Sequence, residues 1–314
     1  CMAYGIGRGD AVFCPAMTFI ASVEPAVLLG AEPVFCEIDG RSYNLLPQSL
    51  ERQVQKVIEE KKLVPKAVIA VDFLGSPADY DSIRAVAKKY QLLLIEDAAQ
   101  SMGAVYRGKK CGSLGDIAAA SFFPSKPLGA YGDGGAVFTD RDDIAELLRS
   151  IRCHGKGADK YHNIRIGINS RLDTMQAEIL RIKLEYLEEE IQARQKIAER
   201  YDGALESFVK LPFIDENSRS SYAQYVICLS EKEERDGLKE YLEEHEIPSI
   251  IYYPNPLHLL PVFEQSNRYG ESFICAEHYA CTNLGIPFSP DLYGVHQEKV
   301  IDAVRDYLKR RRRG

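Results

Sequence analysis

An aspartate and a lysine each follow a short apolar run in this 314-residue chain. Asp97 comes after residues 92–95, and Lys126 lies in residues 121–129, after another such run. A lysine among apolar and glycine residues has few solvating groups, so desolvation lowers its pKa and supplies the neutral amine that Schiff-base chemistry requires. Taken singly, each has a simpler explanation: a strand-end aspartate is more often a helix cap, and a lysine is more often a solvent-facing loop residue.

Asp97, Ser121 and Lys126 together predict a pyridoxal-phosphate site. Such a site needs a lysine, an acid beside the pyridinium nitrogen and donors to the phosphate. The acid keeps the ring nitrogen protonated, so the ring can absorb electrons from the α-carbon of the substrate. Because α/β enzymes place their catalytic groups at the carboxyl ends of neighbouring strands, these three residues can surround one ring.

The elements that must position these residues alternate along the first half of the chain. Short apolar, β-branched runs are typical of buried strands, at residues 11–14, 34–38, 67–71, 92–95, 117–123 and 136–139. Stretches with helical spacing separate them, at residues 20–29, 47–60, 79–90 and 143–151. This alternation predicts an α/β fold with a mostly parallel sheet flanked by helices.

The second half of the chain has a different pattern. A long amphipathic stretch covers residues 172–205, and further elements are predicted near residues 223–229, 232–246 and 296–311. We therefore predict a large cofactor-binding domain over residues 1–180. Residues 181–314 would form a long linking helix and a smaller C-terminal α+β domain.

Composition excludes several classes of protein. Apolar residues make up 46% of the chain and charged residues 27%, as in soluble globular proteins, and no apolar run could span a bilayer. A cytoplasmic protein without a membrane partner is expected. The net charge of −7 argues against nucleic-acid binding. The eight cysteines contain no CxxC pair, so no metal site is predicted.

The longer motifs around these residues resemble the DegT/DnrJ/EryC1/StrS sugar aminotransferases, which are pyridoxal-phosphate enzymes of fold type I. The similar segments are residues 15–22, 30–35, 95–100, 121–135 and 169–177. The resemblance covers essentially the whole chain, and residues 121–135 are the most specific part. It implies a pyridoxal 5'-phosphate enzyme that moves an amino group from glutamate to a nucleotide-linked keto-sugar.

The resemblance also implies roles for individual residues. Lys126 would hold the cofactor and move protons, and Asp97 would pair with the pyridine nitrogen. Phe19 would stack on the ring face, Gln100 would lie close to the ring, and Ser121 would bind the phosphate.

Four further residues are expected at the substrate or at a second subunit. Asn169 would reach the cofactor phosphate of a neighbouring subunit, which implies a homodimer with shared active sites; alternatively it is a loop asparagine that favours a turn. Arg171 would contact substrate, because guanidinium binds carboxylate or phosphate in bidentate fashion, or else it forms a surface ion pair. Tyr253 and His258 either contact substrate or pack within their Pro-rich loop.

Within the family, the chain is most similar to a subgroup that aminates UDP-2-acetamido-2-deoxy-3-oxoglucuronate at C3, for surface polysaccharides. The similarity includes residues 121–135 and 166–174, and a hexuronate carboxylate would suit Arg171. Relatives typically carry His-Tyr-Pro where this chain has residues 252–254, and commonly glutamine in place of Ser76. These departures leave the identity of the sugar open.

Two alternatives remain at this point. Some relatives are dehydratases that carry histidine in place of the lysine, so Lys126 favours transamination. Relatives also carry a Gly-Thr turn upstream of the position of Cys1 that helps to bind the cofactor phosphate. The chain is therefore expected to be truncated at its N-terminus, and a non-catalytic or weakly cofactor-binding homologue is the alternative.

Overall fold

The structure is a computed structural model that describes residues 1–159, 161–266 and 270–312. The strands are β1 (Asp10–Pro15), β2 (Glu32–Cys36), β3 (Val64–Val71), β4 (Leu93–Asp97), β5 (Val105–Tyr106), β6 (Lys109–Lys110), β7 (Ile117–Ser121), β8 (Gly135–Phe138), β9 (Ser218–Arg219), β10 (Tyr225–Cys228) and β11 (Asn283–Ile286). The α-helices are α1 (Glu24–Leu28), α2 (Pro47–Glu60), α3 (Tyr80–Lys89), α4 (Asp142–Ile151), α5 (Thr174–Leu205), α6 (Lys232–Glu244), α7 (Ile274–Thr282) and α8 (Val295–Arg311).

Six strands form the central sheet, in the order β2-β1-β3-β4-β7-β8. The first five run parallel to their neighbours, and β8 pairs antiparallel with β7 at one edge. The side chains of β1 are buried on both faces of the sheet from Ala11 onward, which requires cover by helices on both sides. The predicted α/β fold with a mostly parallel sheet is confirmed.

The carboxyl ends of β4 and β7 lie side by side. Asp97 is the last residue of β4 and pairs with Ala119 of β7, whose last residue is Ser121. Lys126 follows in the loop between β7 and β8. The prediction that Asp97 and Ser121 end neighbouring strands is confirmed, and the sheet therefore presents both at the same edge.

Helix α5 connects two packed regions. Its side chains Leu180, Leu187 and Ile191 pack with Phe122 and Leu128 from the loop between β7 and β8. Its last turns join a second apolar cluster with α6, α8 and the antiparallel pair β10–β11. Because α5 runs through residue 180 without a break, the predicted domain division there stays a prediction.

Several elements differ from the prediction. Residues 20–29 form a 3-10 turn (Ile20–Ser22) and then the short α1, because Pro25 is tolerated only in the first turn of a helix. The two-residue strands β5, β6 and β9, helix α7 and strand β11 were not predicted. No helix among the described residues has the length and apolar character needed to cross a bilayer.

Candidate active site

Asp97 lies at the carboxyl end of β4, where two donors hold its side chain. The Ser22 hydroxyl donates to Oδ2 at 2.6 Å, and the Ala99 N–H donates to Oδ1 at 3.1 Å. Burial raises the pKa of the Asp97 carboxyl, whereas these donors and the positive charge of Lys126 oppose the rise. The carboxyl group is thus desolvated and oriented, and a cationic ligand group beside it would favour its charged form.

Lys126 belongs to a tightly folded loop. Its backbone N–H donates to the Phe123 carbonyl at 2.9 Å. A Cβ atom on Gly129 would stand only 2.4 Å from the Pro124 carbonyl oxygen, so the loop closes in this way only with glycine. Burial lowers the pKa of the Lys126 ammonium, and Asp97 opposes this shift. A lowered pKa makes the neutral, nucleophilic amine more available near neutral pH.

An aromatic wall and a buried amide complete this group. The Phe19 side chain is 56% exposed, and its ring centroid lies 5.8 Å from that of Tyr253. Burial, followed by the charge of Asp97, raises the pKa of the Tyr253 phenol, while a hydrogen bond with Gln100 lowers it. Gln100 is buried and accepts the Leu74 N–H at 2.8 Å. The structure therefore brings Phe19, Asp97, Gln100, Lys126 and Tyr253 together.

Ser121 lies at the end of β7, next to the loop of Lys126. Its hydroxyl oxygen accepts the Phe123 N–H at 3.2 Å, which orients the side chain. Its backbone pairs with Gly135 of β8, so the position is fixed by the sheet. A hydroxyl held in this way can donate its O–H to a phosphate oxygen.

Asn169 and Arg171 lie on a different surface. The Arg171 Nε donates to the Asn169 Oδ1 at 2.9 Å, and both side chains are exposed. They line an open cleft of about 1220 Å³ beside β8, which Asp97 and Lys126 do not line. Within one chain the two groups of residues are thus separate. The predicted roles of Asn169 and Arg171 stay predictions.

His258 is packed in the interior. Its side chain stacks on Phe273 with ring centroids 4.0 Å apart, and its Nε2 lies 3.0 Å from the Glu277 carboxylate. Burial lowers the pKa of this imidazole, although Glu277 opposes the shift. These are the contacts of a packed loop histidine, which was the alternative interpretation, and a substrate contact for His258 stays a prediction.

The residues at the sheet edge fit pyridoxal phosphate. Asp97 offers a desolvated carboxylate to the ring nitrogen, and Phe19 offers an exposed aromatic face to the ring. Lys126 offers an amine of lowered pKa, and the Ser121 hydroxyl offers a donor to the phosphate. Such an arrangement can support imine formation and proton transfer at the carbon next to the nitrogen.

Sequence reasoning missed three polar residues around this site. The Ser22 hydroxyl donates to Asp97 and lies 2.8 Å from the Thr18 hydroxyl. In the sequence, the only indication of this was a hydroxyl residue four positions after Thr18. Asp72, just after β3, and Glu96, in β4, are fully buried. The sequence could have indicated them by their acidic side chains at the ends of apolar strands, because acids are rarely buried without a specific environment.

Comparisons with known proteins identify the family of the chain. Residues 1–305 match the DegT/DnrJ/EryC1/StrS aminotransferase family. The UDP-2-acetamido-2-deoxy-3-oxo-D-glucuronate aminotransferase of Pseudomonas aeruginosa is 47% identical over 261 residues, which are 83% of this chain and 70% of that protein.

Solved structures are similar over nearly the whole chain. A DegT DnrJ EryC1 StrS aminotransferase from Brucella abortus superposes with a TM-score of 0.95 at 45% identity, covering 98% of this chain and 82% of that one. NtdA from Bacillus subtilis, solved with bound cofactor PMP, superposes with a TM-score of 0.85 at 25% identity, covering 98% and 70%. The predicted fold class and cofactor are thereby confirmed. The chain belongs to the DegT/DnrJ/EryC1/StrS family and is a pyridoxal-phosphate-dependent sugar aminotransferase.

Proposed function

We propose that this aminotransferase moves the amino group of glutamate to C3 of a UDP-linked 2-acetamido-2-deoxy-3-oxo-hexuronate, giving 2-oxoglutarate and the 3-amino sugar. The observation that supports this best is the pairing of a desolvated Asp97 with a half-buried Lys126 at adjoining strand ends. The choice of sugar follows the 47% identity to the Pseudomonas aeruginosa enzyme of that specificity.

Each residue of the site has a role in this reaction. Pyridoxal phosphate, when bound, supplies the electron sink that makes the substrate C–H bond acidic. Lys126 would move the proton at that carbon through its Nζ, because burial lowers its pKa and makes the neutral amine more available. Asp97 would keep the ring nitrogen protonated, and Phe19 and Gln100 would contact the ring.

The cofactor assignment is tested by absorbance and by trapping. Purified protein mixed with pyridoxal phosphate should develop a new absorbance band, and borohydride should attach the cofactor to the peptide that contains Lys126. Lys126→Ala should lose both signals. Lys196→Ala, at an exposed position of α5, should keep both, and a trapped cofactor on any other lysine would contradict the assignment.

The substrate assignment is tested with a panel of nucleotide-linked keto-sugars and glutamate. We expect the 3-keto sugar with a C6 carboxylate to be aminated faster than the same sugar with a C6 hydroxymethyl group. If Arg171 binds that carboxylate, Arg171→Lys should raise KM for the first sugar and leave KM for the second unchanged. Equal rates for both sugars, or amination only of 4-keto sugars, would reject the uronate assignment.

We further propose a homodimer whose active sites are shared. A band of exposed apolar side chains, called here the apolar band, runs from the segment before α5 along that helix: Ile164, Ile166, Ile168, Met175, Ile182 and Tyr186. A monomer seldom exposes so many large apolar side chains within one short part of the chain. Ile168, within the band, directly precedes Asn169, so a dimer formed through the band would carry Asn169 toward the neighbouring subunit.

Complementation tests the shared site. Lys126→Ala and Asn169→Ala would each be inactive alone. In a mixed dimer both changes fall in one site and the other site is intact, so random exchange should restore roughly a quarter of wild-type activity. No recovery after verified subunit exchange would mean that Asn169 acts within its own chain or not at all.

A cytoplasmic location is part of the proposal. All eight cysteines are free thiols in the structure, which suits a reducing compartment. Fractionation of the native host, probed with an antibody to the protein, would test it.

A further inference from the structure

Directly behind Asp97 lies a buried pair of carboxyl groups, Asp72 just after β3 and Glu96 in β4, called here the acid pair. Both residues are 0% exposed. One carboxylate oxygen of each residue and the Cys111 sulfur lie within 4.8 Å of one another. Asp97 follows Glu96 in the strand, so the two side chains point to opposite faces of the sheet. Two carboxylates this close in a buried place cannot both carry a charge without a large electrostatic penalty.

Donors surround Asp72 on three sides. Its Oδ1 accepts the Tyr80 hydroxyl at 2.8 Å and the Ala78 N–H at 3.2 Å, and its Oδ2 is 2.5 Å from the Ser101 hydroxyl. A hydroxyl can reverse its bond and accept instead of donate. Ser101 can therefore satisfy either protonation state of Asp72.

Glu96 has the environment of a charged carboxylate. Backbone N–H groups of Gly112, Leu114 and Gly115 donate to its two oxygens, the last two at 2.6 and 3.0 Å. Peptide donors cannot reverse direction, so they favour the ionised form. Every oxygen of the acid pair thus already has a partner. A metal ion would have to displace these donors, whereas one proton between the two carboxyls leaves them in place.

The electrostatic surroundings of the acid pair also favour one proton on the two carboxyl groups. Burial, followed by repulsion from Glu96, raises the pKa of Asp72 to about 8. Burial also raises the pKa of Glu96, against its three peptide donors. The other titratable groups that face the pair are Tyr80 from α3 and Cys111 from the segment before β7. Burial raises the pKa of both well above its ordinary value, so both are neutral.

Asp72 also ties together both ends of the segment from Asp97 to Ser101. Its backbone N–H donates to the Asp97 carbonyl at 3.1 Å, and its carboxyl bonds to the Ser101 hydroxyl at 2.5 Å. Gln100 lies between these two points. The Leu74 N–H, two residues after Asp72, donates to the Gln100 side chain at 2.8 Å. The positions of both cofactor contacts therefore depend on how Asp72 is held.

We propose that Asp72 and Glu96 share a single proton, and that this protonated pair is the positioning element that holds Asp97 and Gln100 against the cofactor. The proposal rests on the cofactor roles proposed above for Asp97 and Gln100. Removal of the proton places two negative charges side by side in the interior. Their repulsion pushes Asp72 away from Glu96 and loosens the segment that carries both contacts.

The direction of the pH effect follows from linkage. A carboxyl whose pKa is raised by folding binds its proton more tightly in the folded protein than in the unfolded chain. The stability it contributes is complete below its ordinary pKa of 3.8 and is lost as the pH rises toward about 8. Between these two pH values, loss of the proton from the acid pair should raise the equilibrium constant for unfolding by up to about tenfold for each unit of rising pH.

Asp72→Asn separates this role from simple packing, because asparagine has nearly the same shape and stays neutral at every pH. We would measure urea unfolding of the cofactor-free protein and the cofactor dissociation constant from about pH 5 to about pH 9. In wild type, the contribution of the acid pair should weaken both the stability and the cofactor binding as the pH rises. Asp72→Asn should lose that part of the dependence. Superimposable pH profiles for wild type and Asp72→Asn would overturn the proposal.

Asp79→Asn is the matched control. Asp79 is exposed and caps α3 through the Ser82 N–H, a task that asparagine performs equally well. The same chemical change seven positions away should leave both pH profiles as in wild type.

Infrared spectroscopy of wild type decides the matter even if Asp72→Asn does not fold. A buried protonated carboxyl has a C=O stretch distinct from that of a carboxylate. We expect that band at neutral pH in protein labelled with carbon-13 aspartate, with a loss of the band in the alkaline range. A labelled wild-type protein without it at neutral pH would refute the shared proton.

The two proposals fail in different ways. If the cofactor roles are wrong, wild type shows no trapped cofactor on Lys126, while the unfolding profile and the infrared band are unchanged. If the shared proton is wrong, the cofactor is trapped on Lys126 but the infrared band is absent.

Discussion

Asp97 illustrates how neighbouring side chains determine the chemistry of one residue. Burial raises the pKa of its carboxyl, and the Ser22 hydroxyl is the first group that opposes this. The site therefore depends on a small residue that touches no reacting atom. Burial thus favours the protonated form of the free carboxyl, and a positive charge in the site shifts it toward the carboxylate.

Ser22→Ala should weaken cofactor binding by about tenfold, because a hydrogen bond of 2.6 Å to a desolvated carboxylate is lost. The pKa of Asp97 should rise further, so the loss should be greatest at low pH. The measurement is a spectroscopic titration with pyridoxal phosphate. Ser113→Ala, which removes an exposed hydroxyl, is the control and should bind as wild type does. Equal affinity for both variants would show that Ser22 does not support Asp97.

Lys126 should leave a signature in the alkaline stability of the cofactor-free protein. Its pKa is lowered in the folded state, so the unfolded chain binds the proton more tightly. Stability from this group is therefore gained as the pH rises through the lowered pKa toward 10.5. Urea unfolding should show this gain in wild type and in Lys196→Met, but not in Lys126→Met. Parallel curves for all three proteins would mean that Lys126 is not desolvated.

At the scale of elements, α7 depends on an acid from a distant part of the chain. The buried Glu37, just after β2, accepts the N–H groups of Cys275 and Ala276 at 2.7 and 3.1 Å. These belong to the first turn of α7, whose donors have no partner within the helix. The negative charge also suits the positive end of the helix dipole. Helix α7 is therefore held to the edge of the central sheet.

Glu37→Ala should lower the free energy of unfolding by about 2 kcal/mol, because it removes charged acceptors from a buried helix end. Glu233→Ala makes the same change in the exposed first turn of α6 and should cost less than about 0.5 kcal/mol. Urea denaturation of both variants is the measurement. A small effect at Glu37 would mean that other groups satisfy the donors of α7.

Two glycines make a second matched pair. Gly75 has φ of +92°, and a Cβ there would lie 2.3 Å from the Ser221 hydroxyl and 2.8 Å from the Ala223 nitrogen. Gly75→Ala should therefore destabilise the fold by more than about 2 kcal/mol. Gly203 lies in α5 with open space around it, so Gly203→Ala should stabilise by about 0.5 to 1 kcal/mol. Thermal melting is the measurement. Melting temperatures that shift in the same direction for both variants would contradict these expectations.

At the scale of the whole molecule, the apolar band is the surface through which the proposed dimer would form. Ile166, at its centre, is 86% exposed in the single chain. Burial of such a side chain between subunits stabilises association by roughly 1.5 to 3 kcal/mol, and a charge there would oppose it. This is the physical basis of the proposed dimer.

Ile166→Asp should convert the proposed dimer to a monomer, with loss of the activity that a shared site would require. Val295→Asp is the control, because Val295 is 83% exposed but begins α8, away from the apolar band. Sedimentation at several concentrations distinguishes the two. A wild-type monomer, or a dimeric Ile166→Asp, would rule out an interface through this band.

The alternation of apolar runs determined the parallel sheet, because strands buried on both faces require continuous apolar residues. The same pattern located Asp97 and Ser121 at strand ends, and α2 was predicted with the bounds that the structure has. Helix α7 and strand β11 were missed because α7 is rich in small residues and cysteine, and its start depends on Glu37, which is far away in sequence.

By itself, then, the sequence determined the residue types of the site, the strand ends at which Asp97 and Ser121 lie, and the family to which the chain belongs. Only the tertiary structure decided that Ser22 holds Asp97, that Asp72 and Glu96 form one buried cluster, and that Asn169 faces a separate cleft. The physical reason is that local pattern reports which face of an element is buried. Hydrogen bonds between residues that are far apart in the chain, and the pKa shifts they cause, exist only once the elements pack.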